Sequence, residues 1–175
     1  CGVHVVATPD MLVALAEAMA SSIYSLGAAS ASGDVDDALR VASSASWTWF
    51  GLYYDAVPKC PLELRSELDK AFVVAMKPVF GGIAKSLSVD ITAHVIARVT
   101  QLKLMNRGKA EEVSLGCGCI NLLYVVLSVH PKALTRSDST ALFDDGVGLL
   151  RRVSSSPLPP EWWSARSEQL DMTCA

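Results

Sequence analysis

Two cysteines one residue apart, Cys117 and Cys119, and a histidine at His130 are the side chains of this sequence best suited to chemistry. A thiolate pair with an imidazole could hold a metal ion, and one thiolate with the imidazole as base could attack a carbonyl. The spacing argues against both. Successive residues of a helix are turned by about 100°, so a C-x-C pair on a helix directs its sulfurs about 200° apart. We therefore read the two thiols as buried packing groups. His130 reads as a surface histidine at a helix C-terminus, where its charged form is favoured. A second concentration, Trp47–Tyr54, packs five aromatic residues into eight positions. It reads as a short core helix, with a ligand cage as the alternative. Dinucleotide, P-loop, zinc-protease and nucleophile-elbow motifs are all missing from the sequence. No catalytic residue, cofactor or metal site is assigned, and the chain is expected not to be an enzyme; a single-cysteine nucleophile is the enzymatic alternative.

Charge offers a different kind of site. Residues 85–109 carry five bases, Lys85, Arg98, Lys103, Arg107 and Lys109, against one acid, Asp90. Such a cluster gains about 1 kcal/mol per base at an anionic membrane surface and attracts phosphates without regard to sequence. These five residues are the candidate membrane- or RNA-contact face. The acids Asp34, Asp36 and Asp37 form a candidate acidic face that could meet the bases of a neighbouring copy. Net charge over the 175 residues is −3, so the chain as a whole is no polycation.

These residues must be positioned by helices. Just over half of the sequence is hydrophobic and only 7% is aromatic, with few alternating β-branched runs. From Val113 to Val129 the chain carries no charge and is apolar on every side, as expected of a helix buried in a core. Its 17 residues lie at the lower edge of what spans a bilayer, and Pro131 ends it. Ser114, Gly116, Cys117 and Gly118 would let neighbouring helices approach closely. Thr8-Pro9-Asp10 starts a first helix that Gly27 should stop, with residues 28–33 as a connection. Asp34 opens a second helix, and Pro61 precedes another along Leu62, Leu64, Leu68, Phe72 and Met76. Pro78 and Gly81-Gly82 should end that helix. Ser88 caps the next, through Ile91, Val95, Val99 and Leu102, with Gly108 closing it. Ser137 or Ser139 begins a last helix using Leu142, Phe143, Leu149 and Leu150.

The expected fold is all-α, with a subdomain boundary in the stretch 78–88 and the uncharged helix central to the core. Residues 1–80 form the first subdomain, 81–88 the linker and 89–155 the second. Residues 156–175 are a Pro-rich connection and a short helix bearing Trp162 and Trp163. Five cysteines, an odd number, with no glycosylation site and no signal peptide point to a reducing compartment. A start at Cys1 rather than Met reads as a fragment or an excised domain.

Three stretches, in order, resemble the N-terminal region of orthomyxovirus (influenza-like) matrix proteins. Ala110-Glu111-Glu112-Val113-Ser114-Leu115, followed by small residues and Leu122, is similar to that family's long hydrophobic helix. FGLYYDAVP (50–58), with Leu64, Arg65, Phe72, Val73 and Ala75, resembles its aliphatic helix, Val-Pro turn and charged helix. VVATPDMLVALAEAMASSIYSLG (5–27) looks like its capped first helix. The resemblance spans roughly residues 3–155. It implies two small bundles of about four helices each, joined by a short linker, in a distant viral structural protein that self-associates into a layer beneath the envelope. It also implies peripheral contact with anionic lipid, contact with ribonucleoprotein or RNA, and support of assembly and budding. The location implied is the virion and the cytoplasmic face of the membrane, with nuclear entry through the family's basic run. That run falls at Arg98–Lys103, in the diluted form RVTQLK followed by Arg107 and Lys109. The alternative is a helical interaction module that takes a partner helix into a groove, as Bcl-2-type regulators do.

Overall fold

The computed structural model describes residues 8–56, 60–106 and 113–155. The described residues are 92% helical and hold no strand, so the fold is all-α. Six α-helices follow in order: α1 Pro9–Ser32, α2 Val35–Ala56, α3 Leu62–Ser86, α4 Val89–Leu102, α5 Val113–Val129 and α6 Arg136–Ser155. Short 3-10 turns at Leu104–Asn106 and Pro131–Ala133 flank α5.

Local chemistry accounts for most of the boundaries. The Thr8 hydroxyl accepts from the Met11 amide at 3.3 Å, and Pro9 fills the first turn of α1. At α4 the Ser88 hydroxyl accepts from the Ile91 amide at 3.1 Å. Helix α6 starts ahead of Ser137, because Thr135 rather than either serine accepts from the Asp138 amide, at 3.1 Å. The Thr135 hydroxyl in turn donates to Asp138 Oδ2 at 2.5 Å. The Thr135 hydroxyl is thus the side-chain cap, upstream of the expected start.

Glycines and prolines expected to break helices do not break them. Helix α1 runs through Gly27 to Ser32 and ends at Gly33, whose φ of 88° is the left-handed conformation that closes a helix. A Cβ on Gly27 would lie 3.1 Å from both Leu87 Cδ2 and the Ser86 carbonyl, so this glycine brings α1 against the end of α3. Helix α2 is one rod through the aromatic segment rather than two pieces. The expected linker 81–88 is mostly helix as well: α3 continues through Pro78, Gly81 and Gly82 to Ser86. Its buried residues Leu68, Ala75, Met76, Val79 and Ile83 form one stripe that does not stop at the proline. Burying Val79 and Ile83 is worth about 1.5–3 kcal/mol each, which offsets the roughly 3 kcal/mol that an internal proline costs. The chain turns only after Ser86, where α3 and α4 meet at 100°.

Core residues come from both sides of that turn. One continuous buried cluster takes Met19, Ile23 and Leu26 from α1, Leu39 and Trp49 from α2, and Val79 and Ile83 from α3. The same cluster holds Val95, Ile96 and Val99 of α4 and Leu122, Val125 and Val126 of α5. Helix α5 keeps its expected bounds, and its most extensive packing is against α2. The small residues in its first turns do allow close approach: a Cβ on Gly116 would touch Leu149 of α6 at 3.1 Å, and one on Gly118 would collide with α2. By length and composition α1 is apolar enough to cross a membrane, but its stripe Leu12, Ala16, Met19, Ile23 and Leu26 is buried inside the protein.

Candidate functional site

Among the described residues, the three bases singled out from sequence, Lys85, Arg98 and Lys103, are spread along α4 and its two ends. Lys85 is exposed in the last turn of α3, and Lys103 is exposed as the left-handed cap of α4, with φ 48°. Helix α4 stands between them; its 14 residues span about 21 Å, well beyond the ~8 Å screening length at physiological salt. Between these two lies Arg98, engaged within the chain. Its Nε donates to Asp36 Oδ1 at 2.6 Å and its Nη2 to Asp36 Oδ2 at 2.8 Å. This fork-on-carboxylate geometry raises the Arg98 pKa above its usual value, chiefly through the hydrogen bonds it donates to Asp36. A residue assigned to the basic face and one assigned to the acidic face are thus partners between α4 and α2 of one molecule. Asp34 and Asp37 are exposed at the start of α2. Arg107 and Lys109 lie outside the described residues.

The sulfur and imidazole groups are also separated. Cys117 packs with Val113 and Leu149, whereas Cys119 faces α2, its Sγ 3.2 Å from Ser43 Oγ. Burial pushes the Cys119 thiol up to about 11, outweighing the lowering by Ser43 and Arg40. A thiol so placed stays protonated near neutrality and is a poor nucleophile. His130 Nε2 lies 2.6 Å from the Leu87 carbonyl. A carbonyl only accepts, so this nitrogen donates, and it ties the end of α5 to the α3–α4 corner. Among the described residues no three metal-binding side chains come together.

The aromatic segment is packing too. Trp49 is fully buried, donates from Nε1 to the Leu12 carbonyl at 2.9 Å, and lies with its ring centroid 4.7 Å from that of Phe72. Tyr53 covers Phe72 at 4.0 Å and donates its hydroxyl to Asp69 at 2.7 Å. Burial, then the Asp69 hydrogen bond, raises the Tyr53 pKa well above its usual value.

What the sequence did not disclose is a groove of about 670 Å³ between α5 and α6. Its apolar lining includes Ile120, Leu123, Tyr124 and Leu127 of α5 and Leu142, Phe143, Gly146, Val147 and Leu150 of α6, with Met105 and Leu134 beside them and the hydroxyls of Ser128 and Ser139 at the wall. Both sets recur at three- and four-residue spacing, so each is a single helical stripe. The two stripes wall the groove, with Leu123 buried at its base and Tyr124 and Phe143 exposed at its rim. Near one end the helices are clamped by Leu149 against Val113 and Cys117, and at the other by the turn at Pro131–Ala133. Between these points they stay apart, leaving Tyr124 52% and Phe143 71% exposed. An exposed apolar stripe of this kind marks a binding surface. The sequence signal was the doubled apolar pattern of α6: Leu142 and Leu149 suffice to seat the helix, and Phe143 with Leu150 is a second edge.

No protein-family model matches the chain, and neither a curated protein nor a solved structure matches it.

Proposed function

We propose that this protein is a viral structural matrix protein of the orthomyxovirus-like kind. It is a non-catalytic helical block that self-associates into a layer beneath the envelope and contacts anionic lipid and ribonucleoprotein. The observation that carries this reading is the resemblance itself, collinear over three stretches, with its most extended piece centred on the uncharged helix α5. The all-helical body agrees with the helical class that the resemblance implies, and its two-bundle arrangement stays part of the proposal. The exposed apolar stripes of α5 and α6 supply surface for association between copies.

Lipid contact must then rest on Lys103, Arg107 and Lys109 more than on Arg98, whose guanidinium already holds Asp36. Each base near an anionic surface contributes about 1 kcal/mol, roughly fivefold in partition. Liposome pelleting with phosphatidylserine vesicles at low salt tests this. Lys103→Glu with Arg107→Glu should weaken binding at least tenfold, and added salt should weaken binding of the unmodified protein. Unchanged pelleting would remove lipid contact from the proposal. Light scattering against protein concentration tests the layer, which requires mass to grow with concentration.

The α5–α6 groove favours a second reading, an interaction module that takes an amphipathic partner helix. A monomer at all concentrations, forming a one-to-one complex with such a helix, would replace the first reading with this one.

A further inference from the structure

We infer that the α5–α6 groove receives α6 of a second copy of this chain, the two α6 helices lying antiparallel about a two-fold axis at Val147. The inference rests on the self-association proposed above and names the contact that would hold it. Phe143 and Leu150 are 71% and 37% exposed at the rim of the groove. They are seven residues apart, about two turns of helix, so they lie along one edge of α6. Asp144 and Arg151, both exposed, are also seven apart and lie along the neighbouring edge. The midpoints of the two pairs fall on either side of Val147, which stands between Gly146 and Gly148.

A two-fold axis across a helix pair reverses the second helix and keeps like edges on the same side. With the axis at Val147, each Phe143 comes over the partner's Leu150 and each Asp144 comes beside the partner's Arg151. One operation thus pairs the large apolar groups and the opposite charges together, and does so twice. A parallel pairing in register would instead set Asp144 against Asp144 and Arg151 against Arg151. The crossing point is open, since a Cβ on Gly146 would meet nothing within 4 Å. Most of α6 takes part: residues 139–155 lie alongside their counterparts, about 25 Å of helix. The incoming helix also covers Tyr124, which α5 leaves 52% exposed. An unrelated helix would have to supply the matching charges, whereas a copy of α6 already has them.

Sedimentation velocity of the full chain over a range of concentrations at low salt tests the contact, using two charge reversals, Asp144→Arg and Arg151→Asp. Either one alone sets like charges together twice per dimer and should weaken association about tenfold or more. Mixed in equal amounts, the two variants present opposite charges to each other at both places, and association should return. Arg151 also has a contact within its own chain, and mixing restores only what lies between chains. Circular dichroism of each variant checks that the helices survive. Variants that associate like the unmodified chain, or a mixture as weak as either variant alone, overturn this contact and leave self-association to another face. An unmodified chain that stays monomeric at every concentration overturns the contact and the self-association together, and leaves the groove to a partner helix.

Discussion

Two glycines inside helices should respond in opposite directions to the same substitution, Gly→Ala. Gly118 of α5 faces α2: a Cβ there would stand 2.2 Å from the Ser43 carbonyl oxygen, 2.8 Å from its carbon and 3.2 Å from Trp47 Cβ. These are backbone or backbone-proximal atoms, so no rotamer change relieves the collision, and α2 must withdraw by roughly 1 Å. A gap of that size forfeits a quarter to a half of each dispersion contact along the most extensive helix pair in the core. Overpacking of this kind costs about 1–3 kcal/mol, and occasionally more. Alanine recovers about 0.8–1.0 kcal/mol of helix propensity. Because the colliding atoms are backbone, the cost lies at the upper end of that range, and Gly118→Ala should lose a net of about 2 kcal/mol, roughly a 4–8 °C fall in Tm at about 2–4 °C per kcal/mol. Gly146 of α6 has no atom within 4 Å of the same addition. Gly146→Ala should keep the whole propensity gain and raise Tm by about 2–4 °C. Thermal and urea unfolding followed by circular dichroism read both, with the urea slope unchanged. A Gly118→Ala protein as stable as the parent, or the two variants moving together, would refute the close packing of α2 on α5.

Two further outcomes follow from the buried and paired groups. With Cys119 raised from the usual 9.0 to about 11, the thiol is protonated in both states below pH 9; between about 9 and about 11 the unfolded chain alone releases its proton. Stability is therefore flat below that window and falls across it, with Tyr53 adding to the loss above its own usual value of 10.0. Urea midpoints measured against pH should lose the Cys119 part of this fall in Cys119→Ala, and a midpoint constant across the window contradicts the burial. A double-mutant cycle of Asp36→Asn and Arg98→Gln should show a favourable coupling that fades with salt, since the two side chains are 41% and 35% exposed. Coupling indifferent to salt would mean that the pair is held by something other than its charges.

Helix type and the placement of α5 were legible because they rest on composition and on an uninterrupted uncharged run. The bounds Val113–Val129, the Ser88 cap and the Thr8-Pro9 start follow from chemistry within one turn of the chain. Breakers misled where their reason was tertiary. Gly27 and Gly82 are small because α1 and α3 touch there, with Tyr24 lying over Gly82, and local reading cannot tell a contact glycine from a terminating one. The pairing of Asp36 with Arg98 joins residues 62 apart in sequence, and nothing local announces it. The groove was hidden for a related reason. Periodicity gives each helix an apolar stripe, but whether two stripes close on one another depends on how their ends are pinned.

That pinning makes the groove the place where the functional readings compete. The clamp at Leu149 and the turn at Pro131–Ala133 fix α5 and α6 near their ends, so the stripes between them are held apart rather than free to collapse together. A space of about 670 Å³ admits one occupant at a time, so a neighbouring copy and a partner helix exclude each other. Gly146→Leu, which adds a side chain where a Cβ meets nothing within 4 Å, should weaken either occupant. Self-association lost in Gly146→Leu would locate assembly in the groove; self-association unchanged by it would place assembly on another face and leave the groove to a partner helix.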